Sequence, residues 1–255
     1  MAVEDTVRTV LGIIGNVISF LMFLAPATAF YKICKWRNTR GYSGFPYVMT
    51  ILNCALWVLY GLPIVKPDSI LVSTINGIGL GIEIIYTLIF LIFCKDSKTR
   101  LKMLGLIFLI SSFFAAVTLS TLLKFHDHKK RYTTIGTICI IFNVFMYASP
   151  LSIMRKVIRE KSVKYMPLYL SVAMFGNGLI WTAYGAIHFD INLVLPNGLG
   201  AGLGACQLLL YAVYYRTTKW GDDDQKPAVE MDDKPGVGLN DNGYPRPLGA
   251  GHDGV

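Results

Sequence analysis

Apolar residues along the chain come in blocks of roughly 20, the length a helix needs to cross a bilayer. The blocks run near Val7–Phe30, Phe45–Val65, Ile70–Cys94, Met103–Phe125, Thr133–Ile158, Met166–Ile187 and Ile191–Tyr215. They predict seven spanning helices, which puts the two termini on opposite faces. Two of the blocks are interrupted by the same polar and aromatic pattern. Asn53, Trp57 and Tyr60, followed by Gly61, return as Asn177, Trp181 and Tyr184, followed by Gly185. Residues at i, i+4 and i+7 share one face of a helix, so each block carries a polar and aromatic stripe inside the membrane. From Thr217 the composition turns to Asp, Gly, Pro and Lys, which predicts a disordered tail over 217–255. The first block lacks a basic segment ahead of it and repeats later, so it reads as a first span rather than a cleaved leader.

The stripe belongs to a longer duplication. Met22 and Pro26 match Met146 and Pro150 at an offset of 124 residues, as do the two Asn-Trp-Tyr-Gly sets. Pro46 matches Pro167, and Asn76-Gly-Ile-Gly matches Asn197-Gly-Leu-Gly, at an offset of 121. Spans one to three therefore recur as spans five to seven, with span four between them. An odd helix between two three-helix units leaves both units in the same orientation. The predicted fold is an all-α membrane protein of seven transmembrane helices: a first triple-helix bundle over 1–94, a linker helix over 95–130 and a second bundle over 131–216. Parallel repeats of this kind place a shared site near mid-membrane.

Composition supports the membrane reading and removes others. The chain is 53% hydrophobic and 16% charged, with a mean hydropathy of +0.49. A formal charge of +8 invites a nucleic-acid partner, but the basic residues lie between apolar blocks and set orientation instead. Loop one carries Lys32, Lys35, Arg37 and Arg40. Loop three carries Lys95, Lys98, Arg100 and Lys102, and loop five carries Arg155, Lys156, Arg159, Lys161 and Lys164. These outvote Lys124, Lys129, Lys130 and Arg131 of loop four, so the N-terminus is expected outside and the C-terminus in the cytosol. Cys34, Cys54, Cys94, Cys139 and Cys206 are scattered without C-x-x-C or metal spacing. No metal, cofactor or disulfide is expected. Paired carboxylates, a nucleophile set and a phosphate-cradling loop are all lacking, which points away from an enzyme. A seven-span receptor or photoreceptor has the same topology, but the duplication argues for transport, and the last span has no Lys for a retinal Schiff base.

Several motifs resemble the SWEET sugar transporter family over about residues 6–216. They are Leu24-Ala-Pro26, Gly44-Phe-Pro46-Tyr, Tyr60-Gly-Leu-Pro63, Thr74-Ile-Asn76-Gly, Ala148-Ser-Pro150-Leu-Ser-Ile-Met, Ser162-Val-Lys-Tyr-Met-Pro167 and Leu195-Pro-Asn197-Gly. Asn53-Cys-Ala-Leu-Trp57 and Lys66-Pro-Asp68-Ser look closest to the plant branch that favours hexoses. The resemblance implies passive, bidirectional sugar transport by alternating access, homo-oligomers, and the plasma membrane as the address.

A sugar offers hydroxyls around its ring and apolar C–H faces. Asn76 and Asn197 supply amide donors and acceptors from symmetric helices, and the resemblance makes them the sugar-binding pair. Trp57 and Trp181 are expected to close the site above and below the ring. Asn53, Asn177, Met22 and Met146 match family positions that line the pocket, and their bulk predicts a monosaccharide rather than sucrose. Pro26, Pro46, Pro150 and Pro167 are read as kinks within spanning helices, placed by resemblance at a cytosolic gate. Tyr60, Tyr184 and Asp190 match an outer gate, with Lys66 a candidate partner for Asp190. Glu83 is the clearest ionisable residue within a span, which raises proton coupling as an alternative to uniport.

Overall fold

The computed structural model of the chain describes residues 2–218 and 220. Among them the regular elements are all α-helices: α1 (Ala2–Leu24), α2 (Ala27–Trp36), α3 (Phe45–Gly61), α4 (Ile70–Phe93), α5 (Ser97–Lys124), α6 (His128–Met146), α7 (Ala148–Glu160), α8 (Leu168–Ile187) and α9 (Ile191–Tyr214). The expected tail lies almost wholly outside the described residues. Six helical stretches are long and apolar enough to cross a membrane, with α1 and α2 together forming one and α6 and α7 another. The shorter apolar helix α3 makes the seventh span. Its 17 residues rise about 25 Å, somewhat less than a bilayer core.

Helix ends follow local chemistry more than apolar content. α3 stops at Gly61, four residues before the expected end, because Pro63 forces Leu62 out of the helical region (φ −70°, ψ 144°). α5 starts at Ser97, ahead of the expected Met103, because Asp96 caps it by accepting from the backbone N–H groups of Lys98 and Thr99. α1 starts at Ala2 with Glu4 and Asp5 in its first turn, where acidic residues suit the helix dipole.

The prolines correct one expectation. Only Pro26 and Pro150 sit at interruptions of a span: Pro26 at the turn between α1 and α2, Pro150 in the first turn of α7 just after the break at Tyr147. Pro46 and Pro167 stand instead at helix N-termini, Pro46 as the second residue of α3 and Pro167 at the N-cap of α8. A proline there costs no hydrogen bond, since the first N–H groups of a helix lack intrahelical partners. The proline inside a described helix is Pro196 of α9.

The packing is duplicated. In the first repeat α4 packs between α1 and α3; in the second α9 packs between α6 and α8. The repeats then meet reciprocally: α1 packs on α8, and α3 packs on α6. That exchange is a two-fold relation between parallel units. α5 rests on α3 and α6, one helix from each repeat. At the proline end of the first repeat, Phe30 stacks on Tyr86 at 4.3 Å and meets Tyr47 edge-on at 4.8 Å, which locks α2 to α3 and α4.

Candidate functional site

The stripe predicted from spacing forms at the junction of the repeats. Trp57 lies edge-on to Tyr60 at 5.3 Å and 77°, and Trp181 lies edge-on to Tyr184 at 5.2 Å and 71°. Each indole is then fixed by the opposite repeat. Trp57 Nε1–H donates to Asn143 Oδ1 at 3.3 Å, and Trp181 Nε1–H donates to the Ser19 hydroxyl at 3.1 Å. Ser19 and Asn143 are themselves repeat counterparts, 124 residues apart.

These residues enclose a cavity of about 320 Å³. Asn53, Asn76, Trp57 and Met22 line it from the first repeat, and Asn177, Asn197 and Trp181 line it from the second. Asn76 and Asn197 are held identically: each Nδ2 donates to the carbonyl four residues back, of Val72 and Leu193 respectively, both at 2.8 Å. The carboxamide orientation is thereby set, and among the described residues neither carbonyl oxygen accepts a hydrogen bond.

Met146 is the one expected lining residue that falls outside the cavity wall. It is the last residue of α6, where the helix breaks at Tyr147. Met22 stands two residues inside α1, because the first repeat breaks later, at Ala25 and Pro26. Residues not singled out from sequence join the wall: Ser19, Phe23, Thr50, Val72, Ile75, Asn143 and Leu193; Glu83, singled out as an ionisable residue within a span, lines it too. The repeat offset alone would have found Ser19 and Asn143, two polar residues at equivalent depths in apolar spans.

One end of the cavity is shut by a buried network. Tyr60 Oη–H donates to Asp190 Oδ2 at 2.6 Å, Lys66 Nζ forms an ion pair with the same carboxylate, and Asn192 Nδ2 donates to Tyr60 Oη at 3.4 Å. Asp190 also caps α9 by accepting from Asn192 N–H at 3.1 Å. Tyr184 takes a different partner. The Arg8 guanidinium lies 4.3 Å above its ring and donates to the Asp68 carbonyl at 2.6 Å. Beside it His188 Nε2 meets Asp5 Oδ1 at 3.0 Å. α1, α3, α8 and α9 are thus tied together at this end. Leu193 and Val72 form the lining nearest the network, and Thr50 and Glu83 extend it toward the proline end.

The architecture defines a class: a polytopic helical membrane protein whose two parallel three-helix units share a polar, aromatic cavity. The family model for sugar efflux transporters for intercellular exchange matches residues 9–98 and again 133–219, two matches whose starts differ by the repeat offset. The chain belongs to that family, the SWEET proteins. It is 51% identical over 217 residues to bidirectional sugar transporter SWEET7b of Oryza sativa subsp. japonica, covering 85% of this chain and 82% of that protein. It is 48% identical over 225 residues to bidirectional sugar transporter SWEET5 of Arabidopsis thaliana, covering 88% and 93%. A eukaryotic SWEET transporter solved at 3.7 Å superposes with a TM-score of 0.81 at 37% identity, covering 84% of this chain and 99% of that one.

Proposed function

We propose that the chain is a facilitative, bidirectional hexose transporter, glucose being the first candidate, that works by alternating access. The supporting observation is the central cavity itself: two asparagines with free carbonyl oxygens and two hydrogen-bonded tryptophans, related by the repeat and placed under a closed network. The amides meet hydroxyls, and the indoles meet the C–H faces of a ring. A volume of about 320 Å³ lies at the small end of the roughly 300–1,000 Å³ typical of small-molecule sites, which favours a monosaccharide. The closed network is the outer gate, with the N-terminus outside, and the prolines flank the cytosolic gate. Weak binding suits the task. A millimolar constant needs only about 4 kcal/mol, which a few hydrogen bonds at roughly 1 kcal/mol each supply.

Labelled glucose and sucrose uptake in hexose-transport-deficient cells tests this. Glucose uptake is expected, lost in Asn76→Ala and Trp181→Ala at equal surface expression. Sucrose uptake instead would sink the pocket-size argument, and no uptake from well-localised protein would sink transport. One observation favours a second reading. Glu83 faces the cavity, where a titrating group communicates with substrate, so uphill accumulation driven by a pH gradient would establish proton-coupled transport in place of uniport.

A further inference from the structure

The two walls of the cavity match in shape but not in hydrogen bonding. In the second repeat the Asn177 carboxamide oxygen is occupied, accepting from the Ser19 hydroxyl at 2.6 Å. In the first repeat its counterpart Asn53 Oδ1 is buried with no hydrogen-bond partner among the described residues. Deeper on the same wall, Glu83 is 4% exposed, lines the cavity, and its Oε2 is also buried with no hydrogen-bond partner among the described residues. The ionisable groups facing it are Tyr47, Cys54 and Tyr86, none of them basic.

The repeat explains why the acid is single. The counterpart of Glu83 is Gly204, where an added Cβ would lie 2.7 Å from Phe175 Cα and 2.8 Å from Phe175 N. α8 and α9 are too close there for any side chain. The first repeat leaves room, and the room holds a carboxyl group.

A buried acceptor without a donor costs free energy, more so for a carboxyl group in a membrane interior. Two such acceptors on one wall of a cavity call for a ligand that brings at least two donors on one edge. Vicinal hydroxyls of a sugar do that. We propose that Asn53 and Glu83 form the hydroxyl-accepting edge of the site, that Glu83 determines specificity by accepting a hydrogen bond from one particular sugar hydroxyl, and that the sugar therefore binds in a single orientation despite the two-fold cavity. This rests on the transport reading above and refines it. The paired Asn76 and Asn197 alone would hold a ring in two equivalent orientations; the acceptors on one wall remove the degeneracy.

The test is uptake of glucose and of its monodeoxy derivatives by the full chain in hexose-transport-deficient cells, beside Glu83→Gln and Glu83→Ala. In the wild type one deoxy position is expected to lower uptake about fivefold relative to glucose, the ratio for one hydrogen bond of roughly 1 kcal/mol. In Glu83→Ala that ratio should fall below about twofold, because the bond is absent for both sugars. Glu83→Gln keeps one acceptor oxygen and should lie between. If Glu83→Ala does not reach the surface, the isosteric Gln variant carries the same comparison. A deoxy profile in the variants identical to the wild type overturns the proposal while leaving transport intact. Loss of pH-driven accumulation in Glu83→Gln with an unchanged deoxy profile also overturns it, in favour of proton coupling. A wild-type chain that moves no sugar overturns both readings.

Discussion

Trp57 of α3 donates its indole N–H to Asn143 of α6 at 3.3 Å, across the boundary between the repeats. The reciprocal bond, from Trp181 of α8 to Ser19 of α1, spans 3.1 Å. Each aromatic plate is thus carried by one repeat and aimed by the other. On the proposed alternating-access reading, rocking of one unit against the other would change the angle of both plates at once. A tightly packed indole would do for a static core; a tethered one fits the proposed cycle, in which the site would form and dissolve.

The first prediction follows from these tethers. Ser19→Ala or Asn143→Ala leaves an indole N–H without its partner at a nearly buried position. KM for glucose uptake should rise about fivefold in each, as expected for loss of roughly 1 kcal/mol of hydrogen bonding. Asn143→Ser copies the other repeat and should recover part of the loss. Concentration-dependent uptake at matched surface expression checks it. An unchanged KM in both alanine variants would show that the tethers do not position the rings.

Much of this site was readable from the sequence. The i, i+4, i+7 stripes brought Asn53, Trp57, Asn177 and Trp181 to one cavity because helical spacing fixes a face regardless of tertiary detail. Asn76 and Asn197 joined them through the duplication. Met146 did not, because the position of a helix break depends on the packing around Tyr147, whose hydroxyl donates to the Pro196 carbonyl of α9. Sequence also gave no depth for Glu83: an acid in an apolar run can face lipid, a neighbour or a cavity, and only packing decides. Arg8 went unnoticed for a different reason. No spacing pattern marks it, because its partners Tyr184 and Asp68 are distant in the chain.

Arg8 carries the second prediction. Its guanidinium combines a stack on Tyr184 with a hydrogen bond to the Asp68 carbonyl, two demands that a planar fork meets and an ammonium does not. Arg8→Lys should therefore behave like Arg8→Ala, with both lowering the thermal stability of the purified protein and slowing uptake. A Lys variant indistinguishable from wild type would mean that charge alone suffices.

Asp190 carries the third. Its carboxylate is shared by Tyr60, Lys66 and the first turn of α9. Removing the charge leaves the Lys66 ammonium, only 17% exposed, without its counter-ion. Breaking one side of a buried pair is worth a few kcal/mol, reduced here because Lys66 keeps some contact with solvent. Asp190→Asn should open this end of the cavity. Thiol labelling of a Leu193→Cys reporter, in a background where its rate is first measured with Asp190 intact, should accelerate about tenfold or more. Unchanged labelling would show that helix packing alone keeps this end closed.

Asp96 gives a prediction in pH. The Thr99 hydroxyl, with the backbone N–H groups of Thr99 and Lys98, holds its carboxyl below the ordinary value of 3.8. A group whose folded value is depressed contributes stability that is fully present above its unfolded value and is lost as pH falls through the folded one. Asp96→Ala should therefore lower Tm at pH 7, and its curve should meet that of the wild type once the pH falls well below 3.8. Melting curves of the two purified proteins from pH 7 to 3 check the sign; a gap that widens on acidification contradicts it.

The last prediction concerns how closely the second repeat is packed. At Gly178 of α8 an added Cβ would lie 2.6 Å from Ala201 N and 2.9 Å from Asn197 O, both backbone atoms of α9. Backbone cannot yield as the end of a side chain can, so Gly178→Ala must push the two helices apart. Asn197 rides on the displaced segment and would leave its match with Asn76. The variant should reach the surface in reduced amount, and the protein that arrives should show a raised KM as well as fewer transporters. Gly77→Ala is the control, since an added Cβ there meets nothing within 4 Å. Equal KM in the Gly178 variant and the wild type would separate helix spacing from the geometry of the asparagine pair.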